Sequence, residues 1–169
     1  ILEGMTGRRP VGWRSPGGYV TSSTFELLTE AGFSYDSSLM GHDVRPYWCR
    51  LNDQWVKNEG VEWGEEVDLV ELPWAWHLDD FPWFEYIPPQ GGNLTAPSAV
   101  LETWLGDLDW ALAHEPGGVL TYTMHPQVIG RGNRMLMLEQ LLDEVEKRGV
   151  GFTTLEDAAT NWRAAHPFS

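Results

Sequence analysis

The stretch LTYTMHPQVIGRGNRMLMLEQLLDEVEKRG (Leu120–Gly149) changes its period midway. Up to His125, and together with Gly117–Val119 before it, the run is apolar and β-branched, the pattern of a strand. Beyond Asn133, which reads as a helix cap, Leu138, Leu141, Leu142 and Val145 recur at helical spacing, and Gly149 ends the run. The same succession occurs elsewhere. PVGWRSP (Pro10–Pro16) precedes a helix marked by Phe25, Leu28 and Ala31, with Ser23 and Glu26 spaced as a capping box and Gly32 as its stop. FSYDSS (Phe33–Ser38) and LVELPWAW (Leu69–Trp76) read as further strands, the latter apolar enough to be buried on both faces. A helix opened by Pro97 carries Leu101, Trp104, Leu105, Leu108 and Leu112, and VGFTTL (Val150–Leu155) reads as a last strand before a helix capped by Thr154. Repeated strand–helix units require parallel strands joined by right-handed crossovers, so the fold class is α/β.

Leu39–Asp68 breaks the rhythm: it is rich in tryptophan and turn residues and has no period. A segment of this length without periodicity is usually functional or disordered, and its tryptophans favour order. Bulk composition narrows the partners. With 11 Lys+Arg against 25 Asp+Glu the net charge is −14, which argues against nucleic acid or an anionic membrane surface. No apolar run approaches the ~20 residues of a bilayer span. Ten tryptophans point to a thick core, aromatic pocket walls or a subunit interface. The single Cys49 excludes an internal disulfide and a Cys-based zinc site and fits a reducing compartment, so a cytoplasmic location is expected.

In parallel α/β folds, polar residues at the carboxyl ends of strands are where chemistry is found. Arg14, Asp79 and His125 hold such positions. An arginine there pairs a carboxylate or binds an anion. A histidine beside a carboxylate serves as a general acid. Each also has a plain structural role open to it: an ion pair for Arg14, a solvated turn or helix cap for Asp79-Asp80, a strand end for His125, an Asx-turn for Asp36. The other histidines, His42, His77, His114 and His166, have no ligand spacing among themselves.

In order along the chain, GWRSPGG, GFSYDSSLMGHDVRPYW, LPWAWHLDDFPWF and the Leu120–Gly149 stretch resemble the polysaccharide deacetylase superfamily (NodB homology, carbohydrate esterase family four). They most resemble its branch of allantoinase-like and cyclic-imide-hydrolysing enzymes and an intracellular-type peptidoglycan deacetylase. The resemblance runs from about Leu2 to Trp162. It implies part of a distorted (β/α) barrel of NodB type, with parallel strands and outer helices, and makes residues 1–169 the C-terminal portion of one catalytic domain. It also implies a hydrolase of non-peptide C–N bonds, acting on a small N-acetylated sugar or a cyclic imide or ureide. By the same resemblance His125 is the general acid, Asp79 the carboxylate that tunes it, and Arg14 the group that orients a catalytic base. Gly17 falls where a backbone N–H helps hold the oxyanion, and Trp83 on a pocket tryptophan. His42 and Tyr47, in the Trp-rich segment, are expected to contact substrate. The family's divalent metal, usually zinc, has its ligands in motifs that precede the arginine, so no metal ligand is expected in this chain and the ligands are expected upstream of Ile1. No His-x-x-x-His occurs in the 169 residues. A homo-oligomer with an enclosed site follows from the closer branch. A non-catalytic sugar- or partner-binding domain of the same fold is the alternative.

Overall fold

The computed structural model describes residues 1–169. The chain divides into two compact units, one formed by Ile1–Pro73 with Thr153–Ser169, the other by Trp74–Phe152.

In the first unit, helix α1 (Leu2–Thr6) stops at Gly7, which takes the left-handed φ of 70°. Strand β1 (Gly12–Trp13), helix α2 (Thr24–Glu30) and strand β2 (Tyr35–Asp36) follow, then β3 (Tyr47–Leu51), β4 (Gln54–Val56), β5 (Gly60–Glu62) and β6 (Glu65–Glu71). The sheet order is β1-β2-β6-β3, with β1, β2 and β6 parallel and β3 antiparallel to β6. Gly12 lies opposite Tyr35, and a Cβ there would collide with the tyrosine ring. Phe25 and Leu28 of α2 pack on Cys49 and Leu69, which builds the core of this unit.

The capping box expected from Ser23 and Glu26 does not form. Ser23 has helical dihedrals and no side-chain cap bond, whereas a capping side chain needs an extended backbone; Thr24 Oγ1 instead accepts the Thr21 N–H at 2.8 Å. The Trp-rich segment proves ordered. It has no period because its strands are only three to five residues long, and Asn52 and Asn58 turn the chain with left-handed φ of 64° and 69°. Trp48 sits edge-on to Trp162 (5.1 Å) and Phe168 (5.0 Å), with the Arg163 guanidinium 5.1 Å from its ring centroid. These contacts fasten the closing helix Leu155–Ala165, whose cap Thr154 accepts the Asp157 N–H at 3.1 Å. Thr154 serves as that cap instead of lying in a strand: Val150–Thr154 pairs with nothing, contrary to expectation.

The strand expected at Leu69–Trp76 is shifted to Glu65–Glu71. Leu72 still donates its N–H to Asp36 O at 2.9 Å, but Pro73 has no N–H to continue the ladder.

In the second unit, helices α3 (Asp80–Phe84), α4 (Pro97–His114), α5 (Pro126–Ile129) and α6 (Gly132–Lys147) surround a core of Leu78, Phe84, Val100, Trp104, Leu108, Val128, Met137, Leu141 and Val145. A small hairpin, β7 (Tyr86–Ile87) with β8 (Gly91–Gly92), lies between α3 and α4 in sequence. Pro97 occupies the first turn of α4, as its fixed φ suits. The cap of α6 is Arg131, not Asn133: the Arg131 carbonyl accepts from Arg134 and Met135, so Asn133 already lies inside the helix. Gly149 ends it with φ 70°. The strand expected over Gly117–His125 is reduced to one parallel bridge, Thr123 with Asp79, because only the Leu78–Asp80 backbone lies alongside. Thr123 N donates to Leu78 O at 2.9 Å and accepts in return from Asp80 N at 3.0 Å through its carbonyl. No helix is long and apolar enough to cross a membrane.

Candidate active site

That single bridge aligns the residues that follow each of its strands. Pro126 opens α5 and Asp79 caps α3, its Oδ1 accepting the Phe81 N–H at 2.8 Å. Asp80 is thereby held in the first turn of α3, where a carboxylate is favoured by the helix N-terminus. Asp80 grips His125 twice: Oδ1 lies 2.7 Å from Nδ1, and Oδ2 accepts the His125 backbone N–H at 3.0 Å. Asp79 Oδ1 is 3.8 Å from the same Nδ1. Both carboxylates are buried, while 37% of the imidazole is exposed and its ring meets Phe81 edge-on at 5.7 Å. The buried carboxylate places the proton on Nδ1, so Nε2 is the nitrogen left for chemistry.

The carboxylate nearest the His125 ring is Asp80, 2.7 Å from Nδ1, while Asp79, the one expected to pair with it, lies 3.8 Å away. Asp79 has the capping role that a plain reading of Asp79-Asp80 offers. Two adjacent carboxylates after an apolar run were the available signal, and only the register of the bridge separates their roles. Trp83 donates its indole N–H to His77 O at 2.9 Å, and Trp104 donates to the same carbonyl at 2.8 Å, so both rings fix the turn that leads into Asp79.

Ligand-type atoms of Asp79, Asp80 and His125 lie within 4.8 Å of one another. That spacing is one a metal ion could use, although no metal ligand was expected in this chain; as the groups stand, most of these donors are engaged by hydrogen bonds. Both Asp80 oxygens already accept from His125, Asp79 Oδ1 accepts from Phe81, and a metal between Asp80 and Nδ1 would have to displace the Nδ1 proton.

The first unit places Arg14 in a different network. Its Nη2 donates to Ser37 Oγ at 2.5 Å, and Ser37 Oγ donates to Leu72 O at 2.6 Å. The neighbouring Ser15 N–H donates to Ser38 Oγ at 2.8 Å. Ser38 gives both its hydroxyl proton (2.9 Å) and its N–H (2.8 Å) to Asp36, which is therefore an Asx-turn as well as a hydrogen-bonded base for the turn. Across the parallel β2–β6 register Asp36 faces Glu71, and both are fully buried. Sequence reasoning passed over Glu71; a carboxylate in the middle of LVELPW, between residues buried on both faces, was its signal.

Gly17 has φ 65° in the 3₁₀ turn Pro16–Gly18, a conformation that suits glycine. His42 Nδ1 accepts the N–H groups of Val44 and Arg45 at 3.2 and 2.9 Å, which makes it a turn cap. Tyr47 Oη accepts the Gly41 N–H at 3.1 Å, and burial together with Glu71 pushes its phenol above the ordinary range. Tyr47 lines a cavity of about 510 Å³ with Phe25, Leu39, Trp48, Arg50 and Trp63.

No protein-family model matches the chain. It is 32% identical over 180 residues to the peptidoglycan deacetylase of Helicobacter pylori, covering 99% of this chain and 61% of that protein. To the peptidoglycan deacetylase-like protein FGM2 of Gibberella zeae it is 26% identical over 94% of this chain and 53% of that one. The chain thus spans only about half to three-fifths of the curated relatives it matches. A crystal structure bearing the name polysaccharide deacetylase, from Mycobacterium smegmatis, superposes with a TM-score of 0.75 at 32% identity, over 97% of this chain and 53% of that one. The allantoinase Puue gives the same TM-score at 26% identity, over 100% of this chain and 51% of its own. The paired carboxylate and histidine, the arginine beside YDSS and these likenesses lead to one conclusion: the chain belongs to the polysaccharide deacetylase superfamily, with its NodB-type α/β fold.

Proposed function

We propose that the protein carrying this chain hydrolyses a non-peptide C–N bond, with His125 as the general acid. The observation behind this is the Asp80–His125 pair: a buried carboxylate on Nδ1 and a partly exposed ring that offers Nε2. Water attack on an amide carbonyl gives a tetrahedral intermediate, and its collapse needs a proton on the departing nitrogen. Nε2 is placed to supply it, and Asp80 fixes the tautomer and balances the charge of the doubly protonated ring. Arg14, steadied by Ser37, orients the carboxylate base that takes the proton from water. That base, and the divalent ion (usually zinc) that goes with this family, belong to residues outside this chain. The substrate is an N-acetylated sugar, since both curated relatives are named for peptidoglycan deacetylation. The likeness to an allantoinase keeps a cyclic imide or ureide as the second choice. A cytoplasmic homo-oligomer is part of this proposal.

The test is His125→Ala in the complete protein. Turnover of an N-acetylated sugar should fall by roughly 10²–10⁴-fold, the usual worth of a positioned proton donor. Bound metal should stay at the wild-type level. Unchanged turnover would dismiss the assignment.

A further inference from the structure

The buried acid pair of the first unit has no part in the steps above, yet it holds the turn whose serines meet Arg14 and Ser15. We infer that Asp36 and Glu71 share a single proton, carried by Glu71, and that this pair positions Arg14. The inference rests on the functional role proposed for Arg14.

The hydrogen-bond ledger fixes which acid is which. Asp36 receives the Ser38 N–H and the Ser38 hydroxyl, so it acts as an acceptor on both oxygens. Glu71 Oε1 receives the Leu39 N–H at 2.9 Å, its Oε2 lies 3.8 Å from the Cys49 thiol, and its carboxyl is hydrogen-bonded to Asp36. Two carboxylates side by side on neighbouring strands, both without solvent, cannot both be ionised. The proton must then lie on Glu71, which donates it to Asp36. The other titratable groups around the pair, Cys49 and Tyr47 of β3, are themselves pushed up by burial and by Glu71, so neither supplies a compensating charge change.

From Asp36 the path to the arginine is short. Asp36 holds Ser38, and Ser38 accepts the N–H of Ser15, the residue next to Arg14. Between them Ser37 accepts from Arg14 itself. The tight turn 36–38 is thus fixed from below by the acid pair and presents two serines to the arginine. Asp36 and Glu71 are positioning residues, one shell removed from the reaction.

The experiment compares Glu71→Gln, Glu71→Leu, Asp36→Asn and Arg14→Ala in the complete protein, by kcat, KM and melting temperature from pH 5 to 9. Glutamine keeps the two main bonds of a protonated Glu71, its carbonyl accepting from Leu39 and its amide N–H donating to Asp36, and loses only the long Cys49 thiol contact. Glu71→Gln should keep kcat within about threefold of wild type, whereas Glu71→Leu and Asp36→Asn should lower kcat by about 10–100-fold with little change in KM, the usual cost of losing an outer-shell partner. Burial, with Asp36 beside it, raises Glu71 to about 9, so wild-type kcat should decline as pH approaches that value while Glu71→Gln shows no such limb. A purely structural role would not move that limb. If Glu71→Leu does not fold, the contrast between Glu71→Gln and Asp36→Asn and the lost alkaline limb decide alone. Glu71→Gln as damaging as Asp36→Asn, or an unchanged limb, would overturn the shared proton. Full turnover in Glu71→Leu beside a crippled Arg14→Ala would overturn the positioning role. Full turnover in Arg14→Ala would overturn the functional reading and this role together, and the pH dependence of melting would still report on the pair by itself.

Discussion

His125 and Asp80 are joined by two bonds from one carboxylate, 2.7 Å to the ring Nδ1 and 3.0 Å to the backbone N–H of the same residue. A side chain held through both its ring and its backbone has little freedom in χ1 or in position. Such preorganisation is what a proton donor needs, because the ring must meet the leaving nitrogen within hydrogen-bond reach.

Asp80→Asn in the complete protein tests that arrangement. The amide still fills the space, but it removes the negative charge that supports the doubly protonated ring, leaving a neutral imidazole whose Nε2–H is a far weaker acid. Turnover should fall by about 10²-fold or more, approaching the loss in His125→Ala, while the melting temperature changes little. Turnover near wild type would show that the buried carboxylate is only structural.

Metal binding gives a second test. With both Asp80 oxygens engaged by His125 and Asp79 engaged by Phe81, the chain Ile1–Ser169 prepared alone should retain no stoichiometric zinc after dialysis. Elemental analysis would measure it. One equivalent of zinc that His125→Ala abolishes would make Asp79, Asp80 and His125 a metal centre.

The second unit depends on Trp104, which is fully buried between α4 and α6 and anchors His77 O through its indole N–H. Trp104→Ala leaves a large cavity and takes away one of the two indole donors to His77 O, so it should cost about 3–5 kcal/mol in denaturant unfolding. Trp104→Phe should recover part of this, since it refills the space without restoring the bond. A loss under 1 kcal/mol for the alanine variant would mean that the helices close over the gap.

The alternation of strand and helix was legible because Leu138, Leu141 and Val145, or Leu101, Trp104 and Leu108, repeat at a spacing that only a helix satisfies. Thr154, Pro97, Gly32 and Gly149 likewise mark the helix ends they were expected to mark. Strands were legible only as apolar runs. A strand needs a partner, and the sequence around Thr123 carries no sign that its pairing stops at one bridge. Roles within Asp79-Asp80 and within Tyr35–Ser38 depend on which backbone groups face them across β-register. Adjacent residues point opposite ways in extended chain, so a one-residue shift exchanges their functions. For that reason His125 and Arg14 stood out as candidates at expected strand ends and through the family resemblance, whereas the contacts of Asp80 and Glu71 depend on a register that residue type does not reveal.

The last prediction concerns stability against pH and uses Glu71 alone. Burial and the neighbouring Asp36 raise its folded value from 4.5 to about 9. Between those two values the folded state keeps the proton while the unfolded chain releases it. The native state therefore binds more protons than the unfolded one, and stability falls as pH rises through this window. The contribution is fully present below about pH 4.5 and lost by about pH 9. Asp36 is shifted upward as well, which acts in the same direction. Glu71→Gln cannot titrate and keeps the bonds to Leu39 and Asp36, so its melting temperature should decline less between pH 5 and 9 and should exceed that of wild type at the alkaline end. Calorimetry on both proteins across that range measures the difference directly. Parallel curves for the two would show that Glu71 is not protonated in the folded chain.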